Sequence, residues 1–228
     1  MMDYLATRAR VEDYFDRSAT QVWERLTSDA PVSGVRATVR QGREEMLNLF
    51  LGALPEDLSG RHVLDAGCGT GMLATALASR GAKVTAIDIA PQILEIAQKR
   101  LEPSLGHLVD FTCGDMAEQD LGQYDHVVAM DSLIYYRAPD IAQMLQQFSG
   151  KDEGQFLFSL PPRTSLLMAM YYVGKLFPNG DRSPLMVPQN YKSLVKNLTG
   201  HASQLHELGR VHRGFYHAQL FAFKGGVA

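Results

Sequence analysis

Three acids, each standing just after a short apolar run, carry the chemistry this sequence offers: Asp65, Asp88 and Asp115. The first opens the stretch Asp65-Ala66-Gly67-Cys68-Gly69-Thr70-Gly71, an acid ahead of three glycines at alternate positions. Glycines at such spacing let the backbone turn tightly and admit a ligand that would otherwise meet a Cβ. The helix expected next, from Met72 to Ser79, presents free N–H groups at its start. A dinucleotide site needs a third small residue where Met72 stands. An acid before the glycines suits a ligand carrying an ammonium group instead. One helix and one strand later, Lys83 to Ile87 ends in Asp88, where an acid can bind two ribose hydroxyls at a strand's carboxyl end. The run Val109 to Thr112 then leads to Gly114-Asp115-Met116. Each acid alone also reads as a helix cap or turn residue. Three in order, each after a strand, read as one site.

This pattern resembles the class I S-adenosylmethionine-dependent methyltransferases. The resemblance implies S-adenosylmethionine as donor and S-adenosylhomocysteine as product. It also implies a donor site of Asp65, Gly67, Gly69, Gly71, Asp88, Ile89, Asp115, Met116 and Met130. In that site Asp115 accepts from the adenine amino group and Met116 packs on the ring.

The elements that must position these residues follow a regular order. Strands are expected over 61–66, 82–88, 107–112, Tyr124 to Met130 and Gln155 to Leu160, with helices over 71–80, 91–101 and 138–149 between them. Pro161-Pro162 ends the fifth strand. Such alternation argues for an α/β, doubly wound, mostly parallel sheet with right-handed crossovers. Two β-rich runs, 204–211 and 215–224, close the chain with His212-Arg213-Gly214 between them. So short a link permits only antiparallel pairing, which resembles the terminal hairpin of the seven-stranded, Rossmann-like methyltransferase sheet.

Residues 1–55 are expected to form an N-terminal helical cap, and 56–228 the methyltransferase domain. The first helix places Val11, Tyr14, Phe15, Val22, Trp23 and Leu26 at helical spacing, with a break near Ser18. A turn around Ala30 to Gly34 leads into a second helix that ends near Leu54-Pro55. These helices either cover a sheet edge or cap the pocket mouth. Residues 161–190 form an apolar, Met-rich insertion after a strand's carboxyl end, readable as a buried helix or as the wall of a large flat substrate.

Composition narrows the partners. The 228 residues carry a net charge of −3 and no Lys/Arg run, so no nucleic-acid footprint is present. Met130-Asp131-Ser132-Leu133 stands where DNA adenine methyltransferases have [N/D]-P-P-Y. The two cysteines, Cys68 and Cys113, read as free thiols, and the His201/His206 and His212/His217 spacings do not align ligands on a helix, so no protein-bound metal is expected. The start of the chain is acidic rather than apolar, and the run Leu166 to Val173 is too short to span a bilayer. A cytoplasmic protein, at most peripheral to a membrane, is expected.

A narrower resemblance runs over nearly the whole chain. Tyr14-Phe15 with Trp23-Glu24-Arg25, Val35-Arg36-x3-Arg40-x-Gly42, Asp131 to Tyr136, Phe156 to Ser159, Thr164, and Gly174 to Pro178 resemble the magnesium protoporphyrin IX methyltransferase family. Many members carry His where Tyr135 stands, and Tyr fits the bacteriochlorophyll branch. The resemblance implies esterification of the 13-propionate of magnesium protoporphyrin IX, with magnesium present only within the porphyrin. It implies Tyr14 and Tyr135 as catalytic candidates, Tyr14 lying on a cap that orders over donor and acceptor. It implies, too, a partnership with the porphyrin-carrying subunit of magnesium chelatase and a place beside the inner photosynthetic membrane. A porphyrin needs a broad apolar wall, for which Met168 and Tyr172 are candidates. Its propionate needs cations, for which Arg36, Arg40, Arg163 and Arg182 are candidates, because a guanidinium grips a carboxylate with two N–H bonds. His212 or His217 is a lesser candidate for axial approach to the metal. A quinone-precursor methyltransferase, or a donor-binding sensor without turnover, would share the donor residues but not the porphyrin.

Overall fold

Seven strands form one sheet in the order β3-β2-β1-β4-β5-β7-β6. The structure is a computed structural model that describes residues 4–19, 27, 34–148, 154–164, 167–168 and 186–225. The chain opens with α1 (Tyr4–Asp13), which widens into a π-helical turn over Tyr14–Ala19. The irregularity therefore begins ahead of Ser18. Next come α2 (Val35–Gly52), β1 (His62–Ala66), α3 (Met72–Ser79), β2 (Lys83–Asp88) and α4 (Pro91–Arg100). Then follow β3 (Val109–Cys113), β4 (His126–Ala129), α5 (Ala138–Gln147) and β5 (Gln155–Leu160). The chain ends with α6 (Tyr191–Asn197), β6 (Leu205–Arg213) and β7 (Tyr216–Lys224).

β1 to β5 pair in parallel, and β7 joins antiparallel to β5 and to β6. Between β1 and β4 the strand order reverses, and ligands of open α/β sheets bind outside the strands' carboxyl ends at that crevice. The expected hairpin is present. His212 and Arg213 are part of β6, however, and only Gly214-Phe215 is left between the strands.

Side chains alternate across the strands and so feed two cores. Leu64, Val127, Phe156 and Phe158 face one core, which α5 covers with Ile141 and Leu145. Val63, Val128 and Leu157 face the other, which α2 covers with Met46 and Phe50 and α3 with Leu73 and Leu77. Helix α6 has no counterpart in the sequence-based expectation, although its start signal is there. The Asn190 side chain accepts from the Ser193 N–H at 2.6 Å, capping the helix.

The two N-terminal helices pack in different places. α2 covers the sheet edge: Gly42 lies against the Tyr216 ring, and the Glu45 carboxylate pairs with Arg213. α1 lies at the pocket mouth, where Val11 and Phe15 pack with Ile134 and Tyr135. The apolar run Leu166 to Val173 falls largely outside the described residues, as do Tyr172, Arg182 and Trp23.

Candidate active site

At the carboxyl ends of β1 to β4 lies a cavity of about 920 Å³, counted out to its open mouth. Asp65, Gly67, Gly69, Asp88, Ile89, Asp115, Met116 and Met130 all line it. Gly71 does not. Its missing side chain leaves room for Ala97 of α4, 3.1 Å from where a Cβ would stand. Gly69, at φ 54°, has nothing within 4 Å of a virtual Cβ and so leaves space open in the cavity wall. Gly67 is glycine for another reason: a Cβ there would lie 2.3 Å from the Ser132 Cβ. Ser132 itself donates to the Ala66 carbonyl at 2.6 Å, binding the loop after β4 to the glycine turn.

Asp65 is 1 % exposed, and its Oδ2 has no hydrogen-bond partner. Burial pushes its carboxyl up to about 7, and the neighbouring Asp88 charge adds to the rise, against the Ala74 N–H and the Arg43 charge. A buried, half-satisfied acid at a cavity wall fits a cationic ligand group. Asp88 accepts from the Gly69 N–H at 2.9 Å through Oδ2 and from the Ala90 N–H at 3.0 Å through Oδ1. Its carboxyl is also raised, by burial, against the N–H groups of Ala90, Gly69 and Ile89. Each carboxylate oxygen has two lone pairs, so both still have capacity for a ribose hydroxyl.

Asp115 is more committed than its position after β3 suggested. Its Oδ1 accepts from the Tyr4 hydroxyl and from the Ala117 N–H at 2.9 Å, and Arg8 Nε lies 3.3 Å from Oδ2. The Tyr4 ring stacks on Tyr136 with centroids 5.1 Å apart. An adenine amino group would share Asp115 with α1.

Tyr135 lines the cavity, and Phe15 meets its ring edge-on at 6.2 Å. Tyr14 is not in the lining; its ring lies 5.1 Å from that of Phe15. Arg36 and Arg40 sit on the first turns of α2, and Arg163 is exposed beyond β5, its N–H donating to the Gln189 carbonyl. None of the three lines the cavity. Met168 is half-buried, its N–H donating to the Thr164 carbonyl. His212 and His217 face each other across the hairpin with ring centroids 4.0 Å apart, away from the lining.

Sequence reasoning missed Arg43. Among the described residues it is the one cation in the cavity lining. Its Nη1 donates to Asp131 Oδ2 at 2.7 Å. Helical spacing gives part of the signal, since Arg43 lies one turn before the buried Met46 and two before Phe50, but Arg36, seven residues earlier, shares that face and only the cavity lining separates the two.

Comparison with known proteins shows what the chain is similar to. Residues 129–224 match the family model described as "Magnesium-protoporphyrin IX methyltransferase C-terminus", and residues 63–150 match "Methyltransferase domain". The chain is 48% identical to the magnesium-protoporphyrin O-methyltransferase of Rhodobacter capsulatus, over 97% of this chain and 98% of that one. It is 32% identical to the ubiquinone biosynthesis O-methyltransferase of Xanthomonas oryzae pv. oryzae, over 61% of this chain and 59% of the relative. Among solved structures, the magnesium protoporphyrin IX methyltransferase of Synechocystis PCC 6803 with bound S-adenosylhomocysteine superposes with a TM-score of 0.77 at 26% identity. That match covers 95% of this chain and 99% of the other.

Proposed function

The chain belongs to the magnesium-protoporphyrin O-methyltransferases, and on that premise we propose that it methylates the 13-propionate carboxylate of magnesium protoporphyrin IX, a step of (bacterio)chlorophyll synthesis. The observation that carries this reading is the 48% identity with the Rhodobacter enzyme over 97% of the chain. The match to the quinone enzyme reaches only 61%.

Bound in the cavity, S-adenosylmethionine supplies a sulfonium-activated methyl group. The strand order supports one placement for it. Asp115, Asp88, Asp65 and Asp131 stand at the ends of four successive strands, β3-β2-β1-β4. With adenine at the Asp115–Met116 end, the donor's amino acid falls at the other. There Asp65 Oδ2 takes the ammonium, and Arg43 takes the α-carboxylate. Asp88 holds the ribose. Tyr135, Tyr136 and Phe15 exclude water from the side where the acceptor enters.

A propionate is ionised at neutral pH, since carboxyl groups titrate near pH 4, so no strong base is required of the protein. Its task is to hold the carboxylate in line with the leaving sulfur. The described cavity residues contribute Arg43 to the donor, which leaves Arg36, Arg40, Arg163 and Arg182 as candidates for the acceptor's propionate. Tyr14 and Tyr135 then position rather than deprotonate. Association with the porphyrin-carrying subunit of magnesium chelatase, and with a membrane surface, rests on the family resemblance. No helix among the described residues is long and apolar enough to cross a membrane.

Purified protein incubated with donor and a panel of porphyrins, read by mass for the methyl ester, tests the proposal. The expected product is the monomethyl ester of magnesium protoporphyrin IX. Esterification of metal-free porphyrins at the same rate, or of a quinone precursor in preference, would refute it.

A further inference from the structure

Asp131 is the only residue other than glycine with a positive φ among the described residues, at 59°. A side chain in that conformation is strained and persists only where its surroundings over-determine it. Here they do. The Asp131 N–H donates to Ser159 Oγ at 2.8 Å, and the same hydroxyl donates back to Asp131 Oδ1 at 2.9 Å. The Tyr216 hydroxyl, from the start of β7, reaches Oδ1 at 2.8 Å and Oδ2 at 3.1 Å. Arg43 completes the set on Oδ2.

These donors come from three separate elements, α2, β5 and β7. They converge on one carboxylate that itself lines the cavity. The approach of α2 to the hairpin is equally specific. Gly42, next to Arg43, lies so close to Tyr216 that a Cβ would stand 2.4 Å from the ring's Cδ1. The helix that carries Arg43 is thus seated directly on the tyrosine whose hydroxyl holds Arg43's counter-ion. Burial and the Asp131 charge push the Tyr216 hydroxyl up, so it stays a donor over the working pH range.

We propose that Asp131, locked by Ser159 and Tyr216, is the positioning residue for Arg43, so that a hydroxyl on the C-terminal hairpin tunes recognition of the donor's amino-acid end. The inference rests on the donor placement above. A guanidinium presents five N–H donors on a rigid fork, and fixing one corner on Asp131 orients the rest. A purely structural Asp131 would hold β4, β5 and the hairpin together without favouring any part of the ligand.

Two nucleosides separate the alternatives. S-adenosylhomocysteine carries the amino-acid end, and 5′-methylthioadenosine lacks it. Calorimetric titration of wild type, Tyr216→Phe and Ser159→Ala with each compound is the experiment, with melting curves to verify folding. Tyr216→Phe keeps the ring on Gly42 and removes only the hydroxyl. It should weaken S-adenosylhomocysteine binding about tenfold, the size expected for one hydrogen bond to a charged group, and leave 5′-methylthioadenosine within twofold. Ser159→Ala should act in the same direction. Equal losses for both compounds, or no loss for either, would overturn the inference while leaving the donor site in place. A wild type that binds neither nucleoside would overturn the donor placement and this inference together.

Discussion

Asp65→Asn tests the donor site most sharply, because two opposite effects are expected from one atom's exchange. In the free protein the Asp65 carboxyl is moved from 3.8 to about 7. Its charged form is therefore penalised by roughly 4 kcal/mol at pH 8, at 1.36 kcal/mol per pH unit. The sign follows from proton binding. Between pH 4 and 7 the folded state holds a proton that the unfolded state has released, so stability falls as pH rises through that window and levels off above it. Asparagine cannot ionise, and its side-chain amide keeps an oxygen for the Ala74 N–H. The unliganded variant should thus fall below wild type at pH 4 by the cost of burying the new amide N–H groups, about 1–3 kcal/mol, and exceed it at pH 8 by about 1–3 kcal/mol, where relief of the ionisation penalty outweighs that cost. Donor binding should move the other way, since a charge-assisted hydrogen bond to the ligand's ammonium is lost, about 1.5–3 kcal/mol or ten- to a hundredfold. Wild-type affinity for S-adenosylhomocysteine should also rise from pH 6 to 8 as the carboxyl ionises, with proton release on binding. The variant should show a flat profile. Thermal unfolding at pH 4 and 8, with calorimetry in buffers of different ionisation enthalpy, reads all of these. An Asn variant less stable than wild type at pH 8, or one that binds the ligand equally well, would refute the reasoning.

Asp88→Ala should weaken S-adenosylhomocysteine binding by about 1–3 kcal/mol and leave porphyrin binding nearly unchanged in separate calorimetric titrations; unaltered nucleoside affinity would remove Asp88 from the site. Tyr135→Phe should keep turnover within about tenfold of wild type, because an ionised propionate needs no base, whereas at least one of Arg36→Ala, Arg40→Ala, Arg163→Ala and Arg182→Ala should lower kcat/KM by about a hundredfold with donor affinity intact. Loss of turnover in folded Tyr135→Phe protein would point to hydroxyl-dependent chemistry. Tyr4→Phe should loosen α1 by about 1 kcal/mol, read as several-fold faster hydrogen exchange over residues 4–13, and unchanged exchange would show that the Asp115 contact does not hold the helix down.

What could be read from the sequence, and what could not, divides along a physical line. Strand and helix placement rests on local apolar periodicity, and β5 begins and ends at Gln155 and Leu160, where the pattern placed it. The three acids were legible for the same reason, each following a strand that hydropathy alone marks. Polar pairings have no such period. Arg43 meets Asp131 across 88 residues, Tyr216 meets it across 85, and Tyr4 meets Asp115 across 111. No spacing rule joins residues so far apart, and a carboxylate carries no local sign of which hydroxyl will reach it. Arg36, Arg40 and Arg43 share one helix; resemblance marks the first two, whereas the cavity lining and the ion pair with Asp131 mark the third. The left-handed backbone of Asp131 was equally hidden, since an aspartate is no mark of positive φ in the way a glycine is. Long-range polar contacts that converge on a single strained carboxylate are what the fold adds to the motif. On the proposed donor placement, the methyltransferase pattern identifies the donor, and the arrangement of α2 and the hairpin around Asp131 is what would set how firmly its amino-acid end is held.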